Sequence, residues 1–133
     1  MTTAGERFAQ AVAAKDSTAL RTVLAGEIDF QALTPGRTWQ AATATQVADD
    51  IVLGRWFGDD AEIIELCSAV PGQVADRGHV SYRFAVRKPD GDYLVEQQAY
   101  YDSDDAGQIT WLRILCSGYQ PVHQAAGIRE SSR

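Results

Sequence analysis

The sequence predicts an α+β domain, with helices packed on one face of a curved, mostly antiparallel sheet. Three observations carry that prediction. Thr3-Ala-Gly-Glu6 and Thr43-Ala-Thr-Gln46 each place a hydroxyl three residues before a carboxylate or amide, the spacing of a helix capping box. Residues 79–87 set Val80, Tyr82, Phe84 and Val86 between His79, Ser81, Arg83, Ala85 and Arg87, the alternation of a strand with one apolar face. Asp90-Gly91 follows, a pair suited to a two-residue hairpin turn whose central residues need positive φ.

In chain order, the first helix starts at Thr3 and runs to Lys15, with Phe8 and Val12 on one face. Asp16 or Ser17 caps a second short helix with Leu20, Val23 and Leu24 as its apolar side, and Gly26 is placed to end it. Residues 28–33 alternate weakly through Ile28, Phe30 and Ala32 and read as a strand, which Thr34-Pro35-Gly36 breaks. Residues 37–41 read as a short second strand carrying Trp39. The third helix follows the second capping box and runs to about Phe57, with Val47, Ile51, Val52 and Trp56 as its stripe and Gly58 as its stop. Residues 61–70 form a strand, and Pro71-Gly72 bends the chain. The hairpin spans 79–102; folding about Asp90-Gly91 sets Val86 opposite Val95, Phe84 opposite Gln97, Tyr82 opposite Ala99 and Val80 opposite Tyr101. Asp104-Asp105-Ala106-Gly107 reads as a solvated turn rather than a metal site and leads to a last strand at 109–117. Residues 119–133 hold few large apolar side chains and read as a loose tail. There is no repeat and no linker, so residues 1–118 form one domain.

A chain of 133 residues supports a single core. Its net charge of −6 and a pI of about 4.7 argue against nucleic acid, which needs clustered Lys and Arg, and the one basic pair, Arg87-Lys88, sits at a hairpin end. No run of 18 apolar residues spans a membrane, and residues 1–6 show no secretory signal, so the cytoplasm is the expected compartment. Cys67 and Cys116 read as two reduced, buried thiols, on strands too far apart in the sheet to pair. No CxxC or paired histidines suggest a metal, and His79 and His123 read as surface residues. No cofactor is expected.

Gln97 is the anomaly of the apolar face. A buried amide needs partners, so it is either a satisfied core contact or a polar spot in a pocket. Tyr82 and Tyr101 share its face, and a phenol there either packs or donates to a ligand oxygen. Trp39, near the expected cavity mouth, and Trp56, at the end of the third helix, either wall a ligand or fill the core. Cys116 falls on the inner face without an evident base and reads as structural. Arg37 reads as a solvated loop residue near the rim. The opposite face gathers Arg83, Glu96, Gln98, Tyr100, Trp111, Arg113 and Leu115, a composition of interface cores, and predicts a homodimer.

The element order, with "RFAQAVAAKDSTALRTVLAGEIDFQALTPGR" and the closing "DAGQITWLRIL", resembles the nuclear transport factor 2-like superfamily over residues 6–118, its SnoaL-like and ketosteroid-isomerase-like branch above all. The resemblance implies a cone-shaped, cystatin-like roll with three N-terminal helices, an apolar cavity between helices and concave sheet, and a homodimer on the other sheet face. It also argues against ketosteroid isomerase activity. The positions of the base, the helix tyrosine and the sheet aspartate of that branch fall at Ala32, Phe8 and Ala99. The carboxylate of SnoaL-like cyclases has no counterpart on the inner faces, and Arg113 of any arginine–aspartate network faces outward. The reading is therefore a protein that binds a small, largely apolar molecule through Gln97, Tyr82, Tyr101, Trp39 and Trp56, with any catalysis being cyclisation, isomerisation or dehydration and its catalytic residues unassigned. The rival reading is a non-catalytic dimerisation or partner-binding module with a self-filled cavity.

Overall fold

The computed structural model describes residues 2–122. Two helices open the chain, α1 (Ala4–Ala13) and α2 (Ser17–Val23), followed by strands β1 (Leu24–Thr34) and β2 (Arg37–Thr43). A third helix, α3 (Gln46–Trp56), precedes β3 (Glu62–Val74), β4 (Arg77–Lys88), β5 (Gly91–Ser103), β6 (Ile109–Cys116) and the two-residue β7 (Gln120–Pro121). Only two helices thus lie N-terminal to the sheet; the third comes after the first hairpin. Both capping boxes form: Thr3 Oγ1 accepts from the Glu6 backbone N–H, and Glu6 returns a bond to the Thr3 N–H. Thr43 and Gln46 do the same ahead of α3. Asp16 caps α2.

Gly26 does not end α2. The helix stops at Val23 and β1 begins at Leu24, so Gly26 lies inside the strand. α3 is wound as a π-helix; at its end the Phe57 N–H bonds to the Val52 carbonyl five residues back. That winding explains the spacing of its buried residues Val47, Ile51, Val52 and Trp56, which recur every four to five positions.

The sheet runs β2-β1-β6-β5-β4-β3, antiparallel except for the β1–β6 pair. β7 pairs with Tyr93 and Leu94 of β5, on the edge that β6 occupies further along from Gln97 to Ser103. Tyr119 to Pro121 are therefore held against the domain rather than loose, and residues 123–133, with His123, lie outside the described residues.

The β4–β5 register differs from the sequence expectation by two residues. Phe84 faces Val95, Tyr82 faces Gln97, Val80 faces Ala99 and Gly78 faces Tyr101. The loop consists of Pro89 and Asp90, because Lys88 pairs with Gly91. Proline's fixed negative φ suits the first central position of such a turn, and positive φ falls on Gly91, at +147°. A slip of two keeps every side chain on its face.

β3 is an edge strand, at the opposite end of the sheet from β2, and carries two bulges. Ile64 and Cys67 have no partner on β4, so its inward residues, Ile63, Leu66 and Ala69, recur every third position. Cys67 is exposed for this reason, against the expectation of a buried thiol. Pro71-Gly72 stays in the ladder, opposite Val80 and His79, where an edge strand tolerates proline; the turn comes later, at Ala75 and Asp76.

One core joins helices to sheet. Phe8 and Val12 of α1, Leu20 of α2 and Val47 and Val52 of α3 meet Phe30, Tyr82, Phe84, Val95 and Leu112. Tyr101 packs over Gly78 opposite it; a methyl group there would lie 2.5 Å from the phenol ring. Gly78→Ala should cost about 1–3 kcal/mol of stability through overpacking, read by urea unfolding. A smaller residue at 101 should recover part of the loss; an unchanged midpoint for Gly78→Ala would contradict the packing. Cys67 and Cys116 are both free, with β4 and β5 between their strands. Thiol titration of the denatured protein without reductant should therefore count two.

Candidate functional site

The inner face of β5 presents Val95, Gln97 and Ala99, all buried. Gln97 is 1% exposed, and Tyr82, directly opposite on β4, is fully buried beside Phe8 and Phe84. A buried hydroxyl needs an acceptor, and Tyr82 donates to Gln97 Oε1 at 2.6 Å. Burial holds the Tyr82 phenol well above its ordinary pKa, with the nearby Cys116 adding to the effect, so it remains a neutral donor. The bond fixes the amide: its oxygen is taken, and its Nε2 has no partner among the described residues. The reverse orientation would leave the hydroxyl proton without an acceptor.

Gln97 lines a cavity of about 420 Å³ at the end of α3. The sheet opens there because β6 stops at Cys116 and its edge resumes only at β7. Between them the Ser117 N–H bonds to the Glu96 carbonyl, and Ser117 Oγ accepts the Glu96 N–H. Gly118 turns with φ +73° and lies against Pro35 of the β1–β2 turn, where any side chain would collide at 2.8 Å. Thr34 and Pro35 form one wall, Arg55, Trp56 and Phe57 another, and Cys116 to Gln120 the third. Tyr119 ties the walls together by donating its hydroxyl to the Trp56 carbonyl. Its phenol is pushed up to about 12, first by burial and then by the charges of Asp60 and Cys116.

Trp56 supplies a second free donor. Its indole packs against Trp39 and Phe30, and its Nε1–H, like Gln97 Nε2, is buried without a partner. Gln97 and Trp56 thus line one cavity, each carrying a buried donor nitrogen without a partner among the described residues, and the described lining holds no Asp, Glu or His. Cys116, the cross-strand partner of Gln97, also lines it, and its sulfur accepts the Gly118 N–H at 3.3 Å.

The other expected residues part company. Tyr82 stands behind Gln97 as its hydrogen-bond partner and is not in the cavity lining. Tyr101 is seated against Gly5 and Gly78 and borders a polar depression with Arg77 and Asp102. Trp39, the cross-strand partner of Ala32, packs edge-on against Trp56 on the inner face, its Nε1 donating to Thr34 Oγ1 and its ring covered by the Arg37 guanidinium at 3.7 Å; the residue is absent from the cavity lining and borders a groove that opens on the outer sheet face. That groove, also of about 420 Å³, has no unpaired buried donor. Phe8, Ala32 and Ala99 lie in the core and bring no ionisable group. His79 bonds Gln98 on the outer face. Among the described residues, no cluster of His, Cys, Asp or Glu could hold a metal, and no helix is long and apolar enough to cross a membrane. Sequence reasoning expected Trp56 as a wall or core filler and missed its unpartnered indole N–H, because a tryptophan's place in an apolar stripe does not show whether its nitrogen finds a partner.

No protein-family model matches the sequence, and no curated protein sequence does. Solved structures with the same fold are numerous. A candidate isomerase from Rhodopseudomonas palustris is 16% identical and superposes with a TM-score of 0.67 over 89% of this chain and 92% of the other. An LEH-like epoxide hydrolase from M. tuberculosis is 15% identical, with a TM-score of 0.61 over 86% and 80%. A nuclear transport factor 2-like superfamily protein from Salmonella enterica is 11% identical, with a TM-score of 0.58 over 94% and 92%. The chain has the nuclear transport factor 2-like fold.

Replacing Gln97 alone should orphan the Tyr82 hydroxyl. Gln97→Leu should lose about 1–3 kcal/mol, and Tyr82→Phe added to it should return most of that, since removing both partners is close to neutral. Urea unfolding of the three variants tests this; no recovery in the double variant would remove the Tyr82–Gln97 bond from the account. Alkali offers a second test. An unfolded tyrosine ionises near 10, while folded Tyr119 holds its proton to about 12. The folded state therefore binds more protons in that window, and stability should fall as pH rises from 10 to about 12. Tyr119→Phe should flatten that part of the pH profile.

Proposed function

We propose that this protein binds a small, largely apolar molecule bearing an acceptor oxygen, in the cavity lined by Trp56, Gln97 and Cys116. The observation that carries the reading is the pair of buried donors without a partner among the described residues, Gln97 Nε2 and Trp56 Nε1, on two residues that line one cavity. Leaving a buried donor unpaired costs about 1–3 kcal/mol, so two beside the same opening favour an oxygen from outside the chain. A volume of about 420 Å³ suits a small ligand and weighs against a cavity filled by its own side chains. The names carried by similar folds, isomerase and epoxide hydrolase, are compatible with chemistry at an oxygen-bearing substrate. If the protein is an enzyme, Gln97 and Trp56 polarise that oxygen in a cyclisation, isomerisation or dehydration. The lining without Asp, Glu or His favours a second reading, binding without turnover, because no positioned acid–base group stands ready.

The outer sheet face supports a homodimer. Leu33 and Leu115 are 49% and 54% exposed there. Trp111 lies between the Arg77 and Arg113 guanidiniums, at 3.7 and 4.4 Å from its ring. Such aromatic and arginine content is that of interface cores.

Cyclohexanone should quench or shift tryptophan emission on binding and should bind more tightly than methylenecyclohexane, which has its shape without an acceptor. Trp56→Phe, followed by calorimetry, should weaken the ketone roughly fivefold, the worth of about one neutral hydrogen bond. Equal affinity for the two molecules would sink the acceptor-oxygen reading. Light scattering should find a dimer, and Trp111→Glu should give monomers; a monomeric parent chain would end the interface proposal.

A further inference from the structure

We propose that the molecule in the cavity carries a carboxylate that stays at the rim, held by the guanidiniums of Arg55 and Arg37 beside Trp39; the proposal rests on the cavity reading above. Both arginines stack on one indole. The Arg37 guanidinium lies 3.7 Å and the Arg55 guanidinium 5.5 Å from the centre of the Trp39 ring. Arg55 lines the cavity. Trp39 is tied to its edge, because the Trp39 Nε1–H donates to Thr34 Oγ1 and Thr34 belongs to the same lining. Arg37, a solvated loop residue by sequence, is the first residue of β2 and pairs with Thr34 across the turn. The start of β2 and the end of α3 thus bring two positive charges to one side of the rim.

What sets this pair apart is the missing counter-charge. Of the eight arginines among the described residues, six donate to a carboxylate or a backbone carbonyl. Arg37 and Arg55 have no such partner among the described residues. Trp111 on the outer face is the contrast within the same molecule. It also holds two guanidiniums, but Arg77 is paired with Asp102 and Arg113 with Asp29. The chain as a whole is acidic, at −6, so two uncompensated cations on one ring are not the by-product of a basic surface. Asp60, whose charge reaches Tyr119 on the third wall, is paired with Lys88. A guanidinium matches a carboxylate in a bidentate fork, and the second cation adds its field. Arg37 and Arg55 are exposed, so a carboxylate beside them keeps much of its water and avoids the desolvation that the enclosed end of the cavity would impose. Its apolar body then lies inward, against Pro35, Phe57 and Val95. The ligand class is a small apolar carboxylic acid, ionised at neutral pH.

The test follows 3-cyclohexylpropanoate and its neutral counterpart 3-cyclohexylpropanamide on the full chain by calorimetry. In about 0.02 M salt the acid should bind roughly tenfold more tightly than the amide, and most of that preference should vanish in about 0.5 M salt, where exposed charges are screened. Arg55→Gln and Arg37→Gln should each weaken the acid roughly three- to fivefold, the worth of one exposed ion pair, and leave the amide within about twofold. Both positions are exposed, so the core is untouched by either change. Arg7→Gln removes an equal charge at the other end of β6, where Arg7 bonds the Gly107 carbonyl, and should change neither ligand, which separates a local site from net charge. Equal affinity for acid and amide, or an acid preference that survives both rim variants, overturns the proposal. Cyclohexanone separates the two readings. If the ketone binds and the acid shows no preference over the amide, the rim carboxylate falls alone. If none of the three molecules binds, the cavity reading falls with it.

Discussion

The hydrogen bond between Tyr82 and Gln97 commits both groups, and the site is built outward from that commitment. Tyr82 is wholly enclosed by aromatic and aliphatic neighbours, so its hydroxyl must find its acceptor within the core. The register of β4 and β5 offers it one, the Gln97 carbonyl oxygen directly opposite. A glutamine side chain has one acceptor end and one donor end. Once the oxygen is used inward, the amide Nε2 is left without a partner among the described residues. A buried structural contact thus fixes the orientation of the amide on a residue that also lines the cavity.

The second donor depends on how the sheet fails to continue. β6 stops at Cys116, the chain detours through Ser117 to Tyr119, and the edge resumes at β7. That detour makes the opening, Gly118 lets it fold against Pro35, and Tyr119 reaches across to the last carbonyl of α3. The helix end is therefore pinned to the strand edge at Trp56, whose backbone oxygen is used by Tyr119 while its indole N–H stays free. Lys15 holds the following loop by donating to the Gly58 and Ala61 carbonyls. Both donors sit on segments tied down from two sides, as a preorganised site requires.

Faces were legible in the sequence where registers were not. Alternation placed Val80, Tyr82, Phe84, Gln97 and Ala99 on the inner face, and the two-residue error in pairing left that intact because a strand repeats every two residues. The error arose at Pro89, whose fixed φ moves the turn one residue ahead of Asp90-Gly91. Bulges leave no signature in simple alternation, so Cys67 was expected inside and lies outside. Tyr101 shows a further limit. It looked available to a ligand, but Gly5 and Gly78, far apart in sequence, leave the space its ring fills. Gln97 could be found because a polar side chain in an apolar row is visible as an exception. Trp56 was expected as an aromatic wall or core filler, but its N–H as a donor was not legible, since a tryptophan in an apolar stripe signals packing whichever way its N–H points.

The two faces of the sheet differ in the kind of polarity they carry, and magnitudes then decide what each can hold. Outside, Arg77 pairs with Asp102, Arg83 with Glu96 and Arg113 with Asp29, all partly exposed pairs that solvent screens. Inside, the described lining carries neutral polar groups, among them Thr34, Gln97, Ser117 and Gln120, with the exposed Arg55 as its one cation. Bringing a carboxylate to Gln97 and Trp56 would cost several kcal/mol in desolvation, which two neutral hydrogen bonds of about 1 kcal/mol each do not offset. A carbonyl oxygen loses far less water and gains the same two bonds. On the reading proposed above, the enclosed part of the occupant is neutral and bears an acceptor oxygen, its remaining surface against Pro35, Phe57 and Val95.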